Sequence, residues 1–293
     1  MARIGVVGKP GGWSSEHLAD VLAQKTGTRS LVSLPEAQLD LAGGSLTCGG
    51  EDLLAYDALV VKKLSGNYSP SDVDRLEMLR YANQRGVAVF SRPDRIRRVL
   101  NRLSCTLALR LANIPMPDTV VTESLSEAAA AVERMRQAVL KPMFSTKARG
   151  MVIVEAGAGA RGALARFQAE GNRVMYIQQK VALPGHDLGL AFLGGEYLAT
   201  YARLQRYGSW NTTTHFGGRY EPRQPPPEIV DLAHRAQALF GLDFTCVDVA
   251  CTPDGPVVFE VSAFGGFRGL KEAHGIDAAV RLADHVIKAI EDG

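Results

Sequence analysis

The sequence has little that would tie it to a membrane, an oxidising compartment or a nucleic acid. No stretch approaches the roughly 20 apolar residues that a membrane-spanning helix needs, so no such span is expected. The start, "MARIGVVGKPGG", lacks the apolar run and cleavage site of a signal peptide. Cysteine is scarce: Cys48, Cys105, Cys246 and Cys251 form no C-x-x-C pair and no zinc spacing. They read as reduced, mostly buried thiols of a cytoplasmic protein. An excess of one charge is missing too. Lys and Arg number 33 against 31 Asp and Glu, and the net +2 gives no bulk electrostatic case for nucleic acid or an acidic membrane. Internal repeats and low-complexity tracts are absent.

What is there suits a soluble globular chain. Its 293 residues are 46% hydrophobic and 22% charged, enough for two or three packed units with a sizeable core. Over residues 1–95, strands such as "RIGVVG" and "YDALVVKKL" alternate with helices such as "WSSEHLADVLAQKTG" and "SPSDVDRLEMLRYANQRG". That alternation predicts a parallel, Rossmann-like α/β sheet. Ser14 or Ser15 is placed to cap the first helix. The stretch 38–51 reads as a small glycine-rich hairpin. Gly5, Gly8, Gly11 and Gly12 do not have the G-x-G-x-x-G spacing, Pro10 intrudes, and no acid ends the second strand, so a dinucleotide site is not expected. A tight strand-to-helix turn accounts for them.

The run Arg95–Ala112 reads as one basic amphipathic helix, ended by Pro115 and Pro117. It carries no aromatic for base stacking, so a solvated face with one Arg turned to a phosphate is expected, and no nucleic-acid partner. Lys141 lies in the apolar strand "AVLKPMF"; a lysine there is rarely buried without a partner. A small loop, "STKARG", follows it. The polar excursion "QRYGSWNTTTHFGGRYEP" looks like a ligand loop.

The segment "CVDVACTPDGPVVFEV" poses the sharpest question. It reads as two buried strands around a turn, yet Asp248 sits in one and Glu260 in the other. Pro253 and Pro256 favour a loop of odd length centred on Asp254, which places 248 opposite 260 on one face. A two-residue Asp-Gly turn would put them on opposite faces. Like charges opposite each other destabilise a sheet pair; at roughly 5 Å and an effective dielectric near 20 the repulsion is about 3 kcal/mol. A divalent cation, a shared proton, or a nearby Arg or Lys could offset it. Magnesium suits such a pair, because it takes one or two carboxylates together with substrate phosphates.

In order, a Rossmann-like unit, a basic helix, "IPMP", a strand lysine, a short loop, a hinge and a paired-acid hairpin resemble the ATP-grasp superfamily, in its RimK-like glutamate ligase branch. Within it, the chain is similar to the ATP-grasp proteins of bacterial "GAK system" gene sets. The resemblance implies a pre-ATP-grasp unit (1–95), a basic helix and small lobe (96–182) and a C-terminal lobe with the metal hairpin (183–293), the last part α+β. It implies that Lys141 and Arg102, at the place of the family's earlier phosphate lysine, reach the ATP phosphates. Lys147 and Arg149 then sit in the loop that covers them. Gln178, Gln179, Lys180 and Val181 match the adenine-binding hinge, and Asp187 the acid near the ribose. Asn211 and Thr213 fall in the polar segment beside the phosphates. Asp248, Glu260 and Ser262 match the magnesium ligands, with manganese as an alternative ion; Ser262 stands where the family usually has asparagine. Asn211 stands where glutamate ligases usually carry arginine.

The activity implied is ATP- and magnesium-dependent activation of a small-molecule or peptide carboxylate as an acyl phosphate, attacked by an amine. Arg203 and Arg268 are candidates for the acceptor carboxylate or the acyl phosphate, since an Arg fork fits a carboxylate bidentately. The departures at Arg102 and Ser262, with the glycine-poor loop "STKARG", make a nucleotide-binding scaffold without turnover the alternative. The sequence leaves room for a homo-oligomer.

Overall fold

A computed structural model of the chain describes residues 2–206, 210–212 and 219–292. The first apolar run forms strand β1 (Ile4–Val7), all four residues buried. Helix α1 (Trp13–Thr26) ends at Gly27, whose left-handed φ of 78° turns its N–H back to the Ala23 carbonyl. The expected serine cap is not made. Gly12 is the N-cap, and the Ser15 hydroxyl accepts the Lys9 N–H at 3.2 Å. Gly8 allows that approach: a Cβ there would lie 2.6 Å from Ser15 Cβ.

Strand β2 (Leu31–Val32) is followed by a small antiparallel sheet of β3 (Ala37–Asp40), β4 (Ser45–Cys48) and β5 (Glu51–Asp52), the expected hairpin with one strand added. Strand β6 (Ala58–Val61), helix α2 (Ser71–Gln84) and strand β7 (Ala88–Phe90) complete a parallel sheet ordered β2-β1-β6-β7. The chain leaves β1 towards one side and returns on the other. The carboxyl ends of β1 and β6 therefore flank a topological switch point, where open α/β sheets bind ligands.

The basic run is two helices. α3 (Pro93–Leu100) and α4 (Arg102–Leu111) meet at Asn101, which is extended at φ −83°, ψ 120°. Its side chain accepts the Ser104 N–H at 3.0 Å. Asparagine is among the strongest N-caps, so it starts a second helix inside the run. Past the prolines come β8 (Thr119–Thr122), α5 (Leu125–Met135), β9 (Gln137–Lys141), β10 (Val152–Glu155), α6 (Ala160–Ala169) and β11 (Met175–Gln179). Their antiparallel sheet, β10-β9-β11-β8, packs on α5 and α6 around a core of its own that includes Val132, Leu140, Leu164, Phe167 and Ile177.

The last sheet has β12 (His186–Leu193), β13 (Glu196–Leu204) and β14 (Arg219–Arg223), then helix α7 (Pro227–Ala238), then β15 (Phe244–Thr252) and β16 (Gly255–Ser262). Its antiparallel order is β14-β13-β12-β15-β16, and α8 (Phe267–His274) and α9 (Ala278–Glu291) follow it. Its apolar side chains merge with those of the first sheet in two continuous cores. Leu59, Ile96, Phe192 and Val247 share one; Val6, Leu18, Ala191 and Phe267 share the other. The arginines of α3 stay half-buried or exposed, as a solvated face would be, but two of them also bond the protein. Arg95 donates to Gly241 O at 2.6 Å and Arg98 to Leu239 O at 2.7 Å, just past the end of α7, where cations complement unsatisfied carbonyls. Among the described residues no helix is long and apolar enough to cross a membrane.

Candidate active site

A crevice of about 590 Å³ opens between the three sheets. Every candidate nucleotide, metal and catalytic residue lines it except Thr213, which lies outside the described residues. Ten Lys or Arg side chains line it against three carboxylates, those of Asp187, Asp248 and Glu260.

Asp248 does pair directly with Glu260, though not through the expected loop. The turn is tight: Thr252 pairs with Gly255, leaving only Pro253 and Asp254 between them. A bulge at Phe259 then shifts the register, so that Val249 faces Val258 while Asp248 faces Glu260. Pro256 is tolerated because β16 is an edge strand. Burial pushes the Asp248 carboxyl up to about 7, with Arg203 opposing and Glu260 and Asp187 adding. That is a carboxyl poised beside like charges. Ser262 lies two residues along the strand from Glu260, on the same face, and its hydroxyl accepts the Phe264 N–H at 3.3 Å. Among the described residues no three His, Cys, Asp or Glu side chains converge as a metal cluster.

Arginines supply the local counter-charge. Arg203 sits across from Asp187 in the β12–β13 pair. It donates Nε to Asp187 Oδ1 at 2.9 Å and Nη2 to Oδ2 at 2.7 Å, a bidentate fork, and Nη2 also reaches Asp248 Oδ2 at 2.9 Å. Burial works against its charge, but Asp187 and Asp248 hold its pKa well above the ordinary value. Below it lies the buried Tyr201 ring, against two glycines: a Cβ on Gly189 would come within 2.5 Å of that ring, and one on Gly269 within 2.6 Å. Arg102, freed by the helix break, donates to Pro142 O at 3.1 Å, to Ser145 Oγ at 3.2 Å and to Glu260 Oε2 at 3.3 Å. Arg268 lies at the mouth, with a 58% exposed side chain 3.7 Å from Glu272 and its guanidinium 5.5 Å from the Trp13 ring centre. Cys246 is no nucleophile, because burial pushes its thiol up to about 12.

Lys141 finds the partner its strand demanded: its Nζ donates to Gln178 Oε1 and lies 5.4 Å from the Phe259 ring centre. Burial, and then Arg102, push it down to about 7 against the pull of Glu260 and Asp248. The Gln178 amide also donates to Thr119 Oγ1 at 3.0 Å. The Gln179 and Lys180 N–H groups are occupied by Asp118 O and Gln137 O. In the loop between β9 and β10, Lys147 and Ala148 take left-handed φ values of 58° and 55°, and Arg149 donates to Asn67 Oδ1.

The sequence reading missed the N-terminal wall. Lys9, Trp13, Lys62, Lys63 and Tyr68 all line the crevice. The available signal was "LVVKKL": two lysines directly after a buried strand of a parallel sheet, at the edge where such sheets bind ligands.

The model of the RimK-like ATP-grasp domain matches residues 99–286. A tetrahydromethanopterin:alpha-L-glutamate ligase of Methanocaldococcus jannaschii is 30% identical over 222 residues, 74% of this chain and 76% of that one. The crystal structure of a RimK domain protein ATP-grasp from Sphaerobacter thermophilus superposes with a TM-score of 0.76 at 24% identity, over 97% of this chain and 99% of that one. The ATP-grasp ligase PsnB complexed with minimal precursor, Mg and ADP superposes at 0.69 with 18% identity, over 98% of each.

Proposed function

The chain belongs to the RimK-like ATP-grasp family and is thereby an ATP-dependent carboxylate–amine ligase; on that premise we propose that it activates a carboxylate as an acyl phosphate, with magnesium, for attack by an amine. The observation that carries the proposal is the Asp248–Glu260 pair in a crevice whose other charged lining residues, Asp187 apart, are cations. The donor set fits magnesium. Two hard carboxylates stand side by side, a hydroxyl is next along the strand, and the Asp248 carboxyl is reluctant to ionise beside its like-charged neighbours. Asp248, Glu260 and Ser262 would hold the ion. When bound, it would neutralise the charge on the phosphate oxygens.

The other residues position rather than react. Lys141 and Arg102 hold the phosphates from two sides, one from β9 and one from the start of α4. The loop bearing Lys147 and Arg149 covers them. With the Gln179 and Lys180 N–H groups already bonded, adenine would be read by the carbonyls of 178–181 and the Val181 N–H. Arg203, clamped by Asp187, holds the Asp248 carboxylate at a fixed angle and closes the acceptor side. The small lobe, on its own core, closes over the nucleotide. We assign the three units 1–95, 96–182 and 183–293 on this reading.

The test is a titration with ATP, with and without magnesium, beside an Asp248→Asn/Glu260→Gln double variant and Lys141→Ala, followed by ADP release across paired carboxylates and amines. Magnesium-dependent binding should disappear in the double variant and weaken at least tenfold in Lys141→Ala. Nucleotide affinity that is indifferent to both magnesium and the double variant would sink the reading. Binding without ADP release across the acceptor panel would favour a scaffold.

A further inference from the structure

The charges of the crevice are unevenly distributed. Its three carboxylates are all placed beside Arg203 or Arg102. At the carboxyl edge of the N-terminal sheet, by contrast, Lys9, Lys62 and Lys63 have no carboxylate within ion-pair distance among the described residues. The undescribed stretches 207–209 and 213–218, "YGS" and "TTHFGG", contain no acid.

These lysines are not equivalent. Lys62 is 2% exposed; its Nζ donates to Gly265 O at 2.6 Å and lies 4.0 Å from the Phe267 ring centre. It fixes the glycine loop after β16 and is not available to a ligand. Lys63 has only weak protein partners. Its Nζ is 3.4 Å from the Tyr68 hydroxyl and lies over the Phe264 ring, 5.3 Å from its centre, so the ammonium is held by a phenol oxygen and aromatic faces without an anion among the described residues. Lys9 leans across the same corner: a Cβ on Gly66 would lie 3.7 Å from its Nζ. The N-cap Gly12 brings no side-chain cap to α1, and Gly12, Trp13 and Ser14 line the crevice there. The one acid of that first turn, Glu16, is bonded to the Gly11 N–H at 2.7 Å and to Arg29. Burial first, and then the positive charges of Lys147 and Arg149, push the Lys63 ammonium down to about 8.

We propose that Lys9 and Lys63 form a second anion subsite, which holds a further anionic group of the acceptor, a carboxylate or a phosphate, away from the carboxyl group that is activated. Two separate ammonium points suit either oxyanion, since neither imposes the planar fork of an arginine. The position is the switch point between β1 and β6, and the neighbouring glycine loop is held in place by Lys62. The acceptor is therefore a molecule with at least two anionic groups. The word "acceptor" rests on the ligase reading above; the anion subsite does not.

The test uses the full chain loaded with ADP and magnesium, and trace acetylation of lysines at pH 8 followed by peptide mass spectrometry. Sodium glutarate and sodium phosphate are compared with sodium chloride at equal ionic strength, with the surface residue Lys25 as internal reference. Glutarate or phosphate should slow acetylation of Lys63 at least fivefold and leave Lys25 unchanged. Protection by glutarate assigns the group as a carboxylate, and protection by phosphate alone assigns a phosphate. Rates at Lys63 no slower than in chloride, or an equal slowing at Lys25, overturn the proposal. As a second measurement, Lys9→Gln/Lys63→Gln should keep ADP affinity within threefold while losing the anion-induced rise in melting temperature. An unchanged rise overturns the subsite. ADP release with no acceptor would instead count against the ligase reading, which the acetylation experiment does not touch.

Discussion

The two ends of the crevice are built on opposite electrostatic plans. At the hairpin end each carboxylate already faces a cation: Asp187 and Asp248 share Arg203, and Glu260 faces Arg102. At the N-terminal end Lys9 and Lys63 face no carboxylate among the described residues. The matched end is fixed before any ligand arrives, which is what pre-organised phosphate chemistry requires. The unmatched end keeps an uncompensated charge, whose natural partner is an anion from outside. Substrate recognition is therefore best sought in the N-terminal wall rather than at the hairpin.

The sharpest way to break the matched end is Arg203→Met. It leaves two carboxylates, one of them 3% exposed, without their shared partner. Removing one side of a buried pair costs about 3–5 kcal/mol, so chemical denaturation should show a loss of that size, with Arg203→Lys in between. A loss below about 1 kcal/mol, the worth of a surface pair, would mean that the triad is not structural.

Next in size is Gly189→Ala. Its Cβ would meet the Tyr201 ring at 2.5 Å, and that ring is backed by Gly269, so it has nowhere to retreat. Overpacking of this kind costs about 1–3 kcal/mol. The urea midpoint should fall accordingly, and Tyr201→Leu in the same chain should recover part of it. An alanine at 189 tolerated without cost would show that the floor under Arg203 yields.

Much of this could be read from the sequence, in uneven measure. The parallel sheet was legible because alternating buried strands and amphipathic helices leave few other arrangements. The Asp248–Glu260 pair was legible for a reason that did not survive: the proline-bearing turn is tight, and a bulge at Phe259 restores the register. Bulges are set by packing against neighbours and leave no periodic trace. The break at Asn101 carried a local signal, a good N-cap inside a helical run, which the continuous apolar stripe on either side outweighed. Lys63 was hidden for a different reason. A lysine at the end of a strand is ordinarily a solvated one, and only the tertiary placement of Phe264 and Tyr68 around it marks it out.

A pH titration separates the two ends by a smaller effect. Lys141 stands at about 7 and Lys63 at about 8 when no ligand is present. A bound phosphate favours the charged lysine and raises its pKa, so binding above the free pKa must take up a proton. The Lys141 contribution to ADP affinity should therefore be full below about pH 7. It should then fall with rising pH, by up to tenfold per unit, until the pKa of the loaded form is passed. Anion binding at Lys63 should hold for about one unit more. Calorimetry in buffers of different ionisation enthalpy would report the proton uptake at each end. ADP affinity flat from pH 7 to 9, or equally steep in Lys141→Met, would remove Lys141 from the phosphates.

The smallest effect is the most selective. Asn101→Ala removes the cap on Ser104 N–H and should cost about 1 kcal/mol of stability. Asn101 is absent from the crevice lining, yet the break it enforces turns Arg102 towards Pro142, Ser145 and Glu260. If that turn is what the cap is for, ADP affinity should fall several-fold in Asn101→Ala and return in Asn101→Asp, which caps equally well. Anion protection of Lys63 should not change, because the contacts of its ammonium are to Tyr68 and Phe264 and not to α4. A loss of stability with unaltered ADP affinity would show the break to be a feature of the fold alone, and would leave Arg102 positioned by its own bonds.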